Sequence, residues 1–227
     1  MLNMLHFHII TLFPESIEPY LTSSILGRAI AAKKIKISYY DPKKFTRDKY
    51  GRVDRRPYGG GPGMVLEPDG MLRAAEKAVG KKRGAEKLFF ATDGKLFSEQ
   101  DAKRLAKKKD ILFICGHYEG VDERVFKVLS AGGGSSFGGK AKKVSVGPYV
   151  LTGGELPAAT LIDAISRHVP GVLGKAESLE ASRVSSPEVY TRPDVLVWKG
   201  KKYKVPEVLK SGHHAKIEEW KKNRRGA

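Results

Sequence analysis

Cysteine is almost missing from this chain, with one residue, Cys115, in 227. A single thiol excludes an intrachain disulfide, and its place after the apolar run Ile111 to Ile114 predicts a buried side chain in a protein of the reducing cytoplasm. Long apolar runs are missing as well. Nothing approaches the ~20 residues of a membrane span, so no membrane association is expected. The opening Met1 to Phe13 contains His6 and His8 but no basic leader segment, and reads as a first strand. No loop matches the dinucleotide or P-loop fingerprint, which removes support for NAD and ATP, and no internal repeat appears. Acidic residues are outnumbered: 25 Asp and Glu stand against 42 Lys and Arg, a formal net charge of +17.

That excess favours a polyanionic partner, nucleic acid first, because each neutralised phosphate releases condensed counterions. A Lys-rich surface on an enzyme of small molecules would give the same balance. The 41% hydrophobic content suffices for a sizeable core in one large or two small domains.

The pattern along the chain is α/β. Strands are expected at His6 to Phe13, Ile35 to Tyr40, Lys87 to Ala91 and Ile111 to Cys115. Helices are expected at Ser24 to Lys33, Pro68 to Val79 and Ser98 to Lys108. Short apolar strands predict a mostly parallel sheet covered on both faces. From Asp41 to Pro68 the periodicity stops. This stretch carries Arg47, Lys49, Arg52, Arg55 and Arg56 ahead of Pro57-Tyr58-Gly59-Gly60-Gly61-Pro62-Gly63-Met64, a composition suited to RNA phosphates and a stacked base, or to a flexible linker.

Between Val144 and Arg167 a β-branched run meets Gly147-Pro148 and Gly153-Gly154, then becomes a helix with Pro157 in its first turn. Asp163 and Arg167 lie four apart on that helix, the spacing of an ionic pair. Glycine-bearing turns also follow two strands, at Thr92-Asp93-Gly94 and from Gly116 to Gly120. In open α/β sheets ligands collect beyond the carboxyl ends of the strands, so these three loops are candidates to line one pocket.

Four segments together resemble the bacterial tRNA (guanine-N1)-methyltransferase family, TrmD. They are Arg56 to Met64, Cys115-Gly116-His117-Tyr118-Glu119-Gly120-Val121-Asp122-Glu123-Arg124, Tyr149-Val150-Leu151-Thr152-Gly153-Gly154-Glu155-Leu156-Pro157, and Tyr190-Thr191-Arg192-Pro193. They stand in the family's order and span nearly the whole chain. The resemblance implies a SPOUT-type fold with a trefoil knot, a homodimer, S-adenosylmethionine as methyl donor with Mg2+ as a further candidate requirement, and tRNA as substrate. The implied target is N1 of the guanosine immediately 3′ to the anticodon.

The implied layout is a methyltransferase domain at 1–174, a linker at 175–189 and a small, mostly helical tRNA-binding domain at 190–227. Cofactor contacts are implied for Phe90, Ala91, Thr92, Gly94, Gly116, Tyr118, Glu119, Gly120, Val146, Gly147, Tyr149, Leu151, Gly153 and Gly154. RNA contacts are implied for Arg56, Tyr58, Gly59, Gly60, Pro62, Ser178 and His214. Arg167, within Ser166-Arg167-His168-Val169-Pro170-Gly171, matches the family arginine linked to guanine activation.

The chain departs from the family at several points. Where the family has a catalytic Asp, ungapped counting gives Ser182; Glu180 is taken as the base, with Glu177 as the alternative. Val146-Gly147-Pro148 replaces Ile-Gly-Asp, and Ala91-Thr92-Asp93-Gly94 replaces Ser-Pro-Gln-Gly. Ala131 to Lys140 looks like a Gly-rich insertion and is expected to be a mobile surface loop. Trp198 and Trp220 are expected to anchor the small last domain, which stops sooner than in most relatives. His213 and His214 open its final helix, pointing in different directions and without the spacing of metal ligands. Two alternatives keep the same fold: a non-catalytic tRNA-binding relative, and a methyltransferase of another RNA.

Overall fold

The computed structural model describes residues 4–80, 82, 84–131, 137, 139–173 and 188–224. The chain divides into two compact units, Met1–Leu173 and Gly174–Ala227. The first is built on a five-stranded parallel sheet. Strand β1 (Leu5–Ile10) lies between β2 (Ile35–Tyr40) and β6 (Asp110–Ile114); β5 (Glu86–Leu96) follows β6, and β7 (Ala141–Ser145) forms the edge.

Alternation along the strands loads both faces, as expected for buried parallel strands. Leu5, Phe7, Ile9, Ile111 and Phe113 meet α2 (Ser24–Ala31), α4 (Glu99–Leu105) and α6 (Glu155–Ser166) through Leu26, Leu105, Leu161, Ile162 and Ile165. On the opposite face, Ile10, Leu112 and Ile114 pack with Met71, Ala74 and Ala78 of α3 (Pro68–Val79) and Val125 and Leu129 of α5 (Glu123–Ser130). Helix starts follow local chemistry. The Ser98 hydroxyl accepts from the Asp101 amide at 3.3 Å and the Asp122 carboxylate from the Arg124 amide at 2.9 Å, each satisfying a donor that the first turn leaves open. Before α2 comes a single turn, α1 (Glu18–Leu21).

Three expectations need correction. The strand foreseen at Lys87 to Ala91 continues to Leu96, because Phe90 and Lys95 both stand opposite Val144 and the residues between them bulge out of the ladder. The stretch from Asp41 to Pro68 is not structureless. A 3-10 turn at Pro42–Lys44 and the two-residue antiparallel strands β3 (Asp54–Arg55) and β4 (Val65–Leu66) lie within it, and both are too short to leave a periodic signal. In the Gly-rich stretch, Phe137 is buried and its carbonyl accepts from Lys87 Nζ at 3.3 Å, anchoring a segment expected to be mobile; residues 132–136 and 138 lie outside the described residues.

The second unit contains a hairpin of β8 (Val195–Trp198) and β9 (Lys201–Lys204), then α7 (Glu207–Lys210) and α8 (His214–Asn223). The hairpin was missing from the helical expectation; Lys199 and Gly200 turn it, both at positive φ, the geometry of a two-residue loop. Trp198 is 62% exposed, so it is no core anchor among the described residues of this unit. Trp220 is half-buried, beside Tyr190 at 6.2 Å between ring centroids. Among the described residues, no helix is long and apolar enough to cross a membrane.

At the N-terminal end of the main sheet lies a buried polar group that neither core cluster uses. His8 Nε2 and Lys82 Nζ stand 2.9 and 2.7 Å from Asp110 Oδ1, and His6 stacks on His8 with centroids 3.7 Å apart. Burial, followed by the neighbouring His8, Lys82 and Lys36, lowers the His6 pKa from 6.5 to about 4, with Asp110 opposing; burial also lowers that of His8. Between pH 6.5 and about 4 the unfolded chain therefore binds protons that the folded chain refuses. The stability contribution is complete above pH 6.5 and falls as pH drops toward 4. Denaturant midpoints measured across that window should decline with pH, and His6→Gln should flatten the decline.

Candidate active site

A pocket of about 440 Å³ opens beside the bulge of β5 and beyond the C-terminal ends of β6 and β7. Three walls enclose it: Phe89 to Asp93 in the β5 bulge, Gly116 to Val121 after β6, and Val144 to Gly154 leading into α6. The volume falls within the roughly 300–1,000 Å³ of small-molecule sites.

The walls are joined by close backbone contacts. The Gly154 amide donates to the Gly116 carbonyl at 2.9 Å, and His117 and Gly153 form a bridge. A Cβ on Gly154 would stand 2.6 Å from Cys115 Cα, so only glycine allows this approach. In the bulge, a Cβ on Gly94 would stand 2.5 Å from the Val144 amide nitrogen. At the third wall Tyr149 folds its ring over Gly147 and donates its hydroxyl to the Val146 carbonyl at 3.2 Å. Tyr118 holds φ +58°, an uncommon strained backbone for a tyrosine, and Gly120 at φ +122° has open space where a side chain would be.

The Arg- and Gly-rich loop docks against the middle wall. The Glu119 amide donates to the Met64 carbonyl and the Leu66 amide to the Gly120 carbonyl, each at 3.0 Å. Gly63 at φ +80° lies so close to Glu119 that a Cβ would meet its carboxylate.

Charge is concentrated at two points. Glu119 lines the pocket as a carboxylate, while Lys143 Nζ bridges Asp93 at 3.3 Å and Glu123 at 3.6 Å, which holds the lysine pKa above its usual value. Behind the pocket, buried Glu155 accepts the Thr11 hydroxyl at 2.7 Å, and its other oxygen stands 3.7 Å from His117 Nδ1. Burial, and then this nearby carboxylate, push the Cys115 thiol well up, so it is inert at neutral pH.

The structure brings most of the expected cofactor residues together. Phe90, Ala91, Thr92, Gly116, Tyr118, Glu119, Gly120, Val146, Gly147, Tyr149, Leu151, Gly153 and Gly154 all line the pocket. Gly94 does not line it and instead packs on Val144. Arg56, Tyr58, Gly59, Gly60 and Pro62 are exposed on the docked loop, Tyr58 completely. His214 is the exposed first residue of α8 in the second unit.

Arg167 caps the C-terminal end of α6 and stands outside the pocket lining. At 1.5 Å per helical residue it is roughly 20 Å from Gly154. Its helical neighbour Asp163 accepts the Tyr20 hydroxyl in a short hydrogen bond. Glu177, Ser178, Glu180 and Ser182 lie outside the described residues. The Lys143 bridge and the Thr11–Glu155 contact went unnoticed in the sequence. Lys143 sits in an alternating strand and Glu123 in a motif already singled out, whereas no sequence signal links Thr11 to a residue so distant in the chain.

A parallel α/β unit with a loop-walled pocket at its strand ends defines the class of α/β proteins that hold a ligand beyond the carboxyl ends of their strands. Residues 5–227 match the family model described as tRNA (Guanine-1)-methyltransferase TrmD. The chain belongs to that family. It is 40% identical over 224 residues to a tRNA (guanine-N(1)-)-methyltransferase of Caldanaerobacter subterraneus, covering 96% of this chain and 86% of the relative. Proteins of the same description from Clostridioides difficile and Lachnoclostridium phytofermentans are 38% and 36% identical, each over 96% of this chain and 91% and 86% of their own lengths.

Gly154→Ala should therefore cost about 1–3 kcal/mol from overpacking against Cys115, whereas Gly84→Ala, with no atom near its added methyl, should be close to neutral. Urea midpoints of the two variants check the contrast.

Proposed function

We propose that this protein transfers the methyl group of S-adenosylmethionine to N1 of the guanosine immediately 3′ to the anticodon in tRNA. The family membership supports methylation of tRNA guanine, and the single observation that carries the donor assignment is the convergence of three walls, two of them glycine-bearing, on one pocket. The residues fit such a donor. Open backbone at Gly120 admits close approach, Phe90 and Leu151 offer apolar surface, and the Glu119 carboxylate complements a sulfonium charge. When bound, S-adenosylmethionine supplies a methyl on positively charged sulfur; attack by N1 forms the N–C bond, breaks the C–S bond and leaves a neutral thioether.

This chain's residues must then manage a proton and a charge. Guanine N1 is protonated at neutral pH, so a carboxylate has to accept its proton; Glu180 is assigned that part, with Glu177 as the alternative. Negative charge spreads to O6 as the proton leaves. A guanidinium there acts more strongly in the transition state than in the ground state, which is the part assigned to Arg167. Its separation from the pocket of its own chain supports a homodimer in which guanine-activating residues of one subunit serve the cofactor pocket of the other. Residues 1–174 are read as the knotted methyltransferase domain, 175–189 as linker and 190–227 as a tRNA-binding domain. The exposed basic loop around Arg56 and Tyr58 supports contact with RNA.

Incubation with labelled S-adenosylmethionine and unmodified tRNA should yield N1-methylguanosine, and a transcript lacking guanosine 3′ to the anticodon should stay unlabelled. Label at another base, or none, would refute the assignment. Arg167→Ala should lower the single-turnover rate by about two to three orders of magnitude with little change in tRNA affinity. Glu180→Ala should cost less, because Glu177 and water can accept the proton. Binding of tRNA should weaken steeply with salt, in proportion to the phosphates paired, while donor binding measured by calorimetry should not.

A further inference from the structure

His6, His8 and Asp110 form a cluster at the opposite end of the sheet from the pocket and take no part in methyl transfer. One ligating atom from each lies within 4.8 Å of the others. Alternation along β1 puts both histidines on one face, and Asp110, the first residue of β6, pairs with His6 in the parallel ladder. The imidazoles are held from behind. His6 Nε2 meets the Ser38 hydroxyl at 2.9 Å and His8 Nδ1 meets the Tyr40 hydroxyl at 3.0 Å, leaving His6 Nδ1 and His8 Nε2 directed at Asp110 Oδ1, at 3.9 and 2.9 Å. Hydroxyls both donate and accept, so either ring tautomer is supported. Ring nitrogens fixed from behind by a polar group are the usual surroundings of a metal-bound histidine.

A cation already sits among these atoms. Lys82 Nζ lies 2.7 Å from Asp110 Oδ1 and 3.1 Å from His8 Nε2. His8 and Asp110 are buried, but the Lys82 side chain is 39% exposed and can swing out to solvent.

We propose that His6 Nδ1, His8 Nε2 and Asp110 Oδ1 form a binding site for a divalent transition metal such as Zn2+ or Co2+, entered by displacement of the Lys82 ammonium. Two imidazoles and one carboxylate suit borderline metals over Mg2+ or Ca2+, which prefer oxygen ligands. The fourth position, vacated by Lys82, faces solvent and takes water. The site is separate from the methyl-transfer pocket, so metal bound there acts on stability.

Co2+ added to the intact protein reports this site through its visible ligand-field spectrum. One ion per chain with the bands of a low-coordinate nitrogen and oxygen site is expected, displaceable by Zn2+ and accompanied by a raised melting temperature. Lys82→Met should bind about tenfold tighter or more, as expected on removing a unit positive charge in contact with the ligands. His6→Ala, at a partly exposed position, and Asp110→Asn should lose the bands. A His213→Ala, His214→Ala double variant should keep them. Absence of binding in both the parent protein and Lys82→Met would overturn the proposal, as would Co2+ bands that survive His6→Ala and Asp110→Asn.

Discussion

The arrangement of the first unit depends on the contact of Gly154 with Cys115 and Gly116. It fastens the start of α6 to the end of β6, two elements far apart in sequence, and no side chain could be inserted between them. With α6 fixed there, its apolar face is committed to the Phe7 and Phe113 side of the sheet. The chain leading into α6 must then run past the strand ends, where it becomes a wall of the pocket. Packing and site formation thus share one constraint, and a methyl group added at Gly154 disturbs both.

Electrostatics divides the same unit. The pocket mouth balances Lys143 against Asp93 and Glu123, and a buried Glu155 is held by Thr11. These acidic groups stand out against a chain of +17. A sulfonium needs local negative charge, whereas a polyanion needs the opposite over a wide surface. In the proposed reaction the carboxylates at the pocket would meet the first need and the arginines on the exposed loop the second, and the docking of Gly63 and Met64 on Glu119 keeps the two regions adjacent.

Much of this was legible in the residues because period and turn chemistry are local. Strand β2 and helix α3 fall where the apolar spacing puts them, and the three loops converge on one pocket, with Gly116 and Gly154 in its lining and Gly94 packed on Val144 outside it. What escaped was either very short or non-local. The β3–β4 pair has too few residues for a period, and the bulge at Ala91 to Gly94 reads as a turn because only the partner strand shows that pairing resumes at Lys95. Trp198 is expected in the small core, yet the hairpin leaves it exposed within its own unit, since nothing local tells a core tryptophan from a surface one.

The same topology explains why the polar cluster of His6, His8 and Asp110 stands apart from the pocket at the strand ends. Parallel strands place every carboxyl end on one side, so β1 and β6 deliver their last residues toward the pocket and their first residues to the opposite end. Two histidines one pleat apart on a central strand cannot both be absorbed by an apolar core, and burying them has required Ser38, Tyr40, Asp110 and Lys82 as partners. Such a group, held by the side chains of Ser38, Tyr40 and Asp110 and capped by a lysine that solvent can reach, is organised around a positive charge. The ammonium fills that position as one point charge, whereas a divalent ion would engage the same nitrogen and oxygen atoms directly.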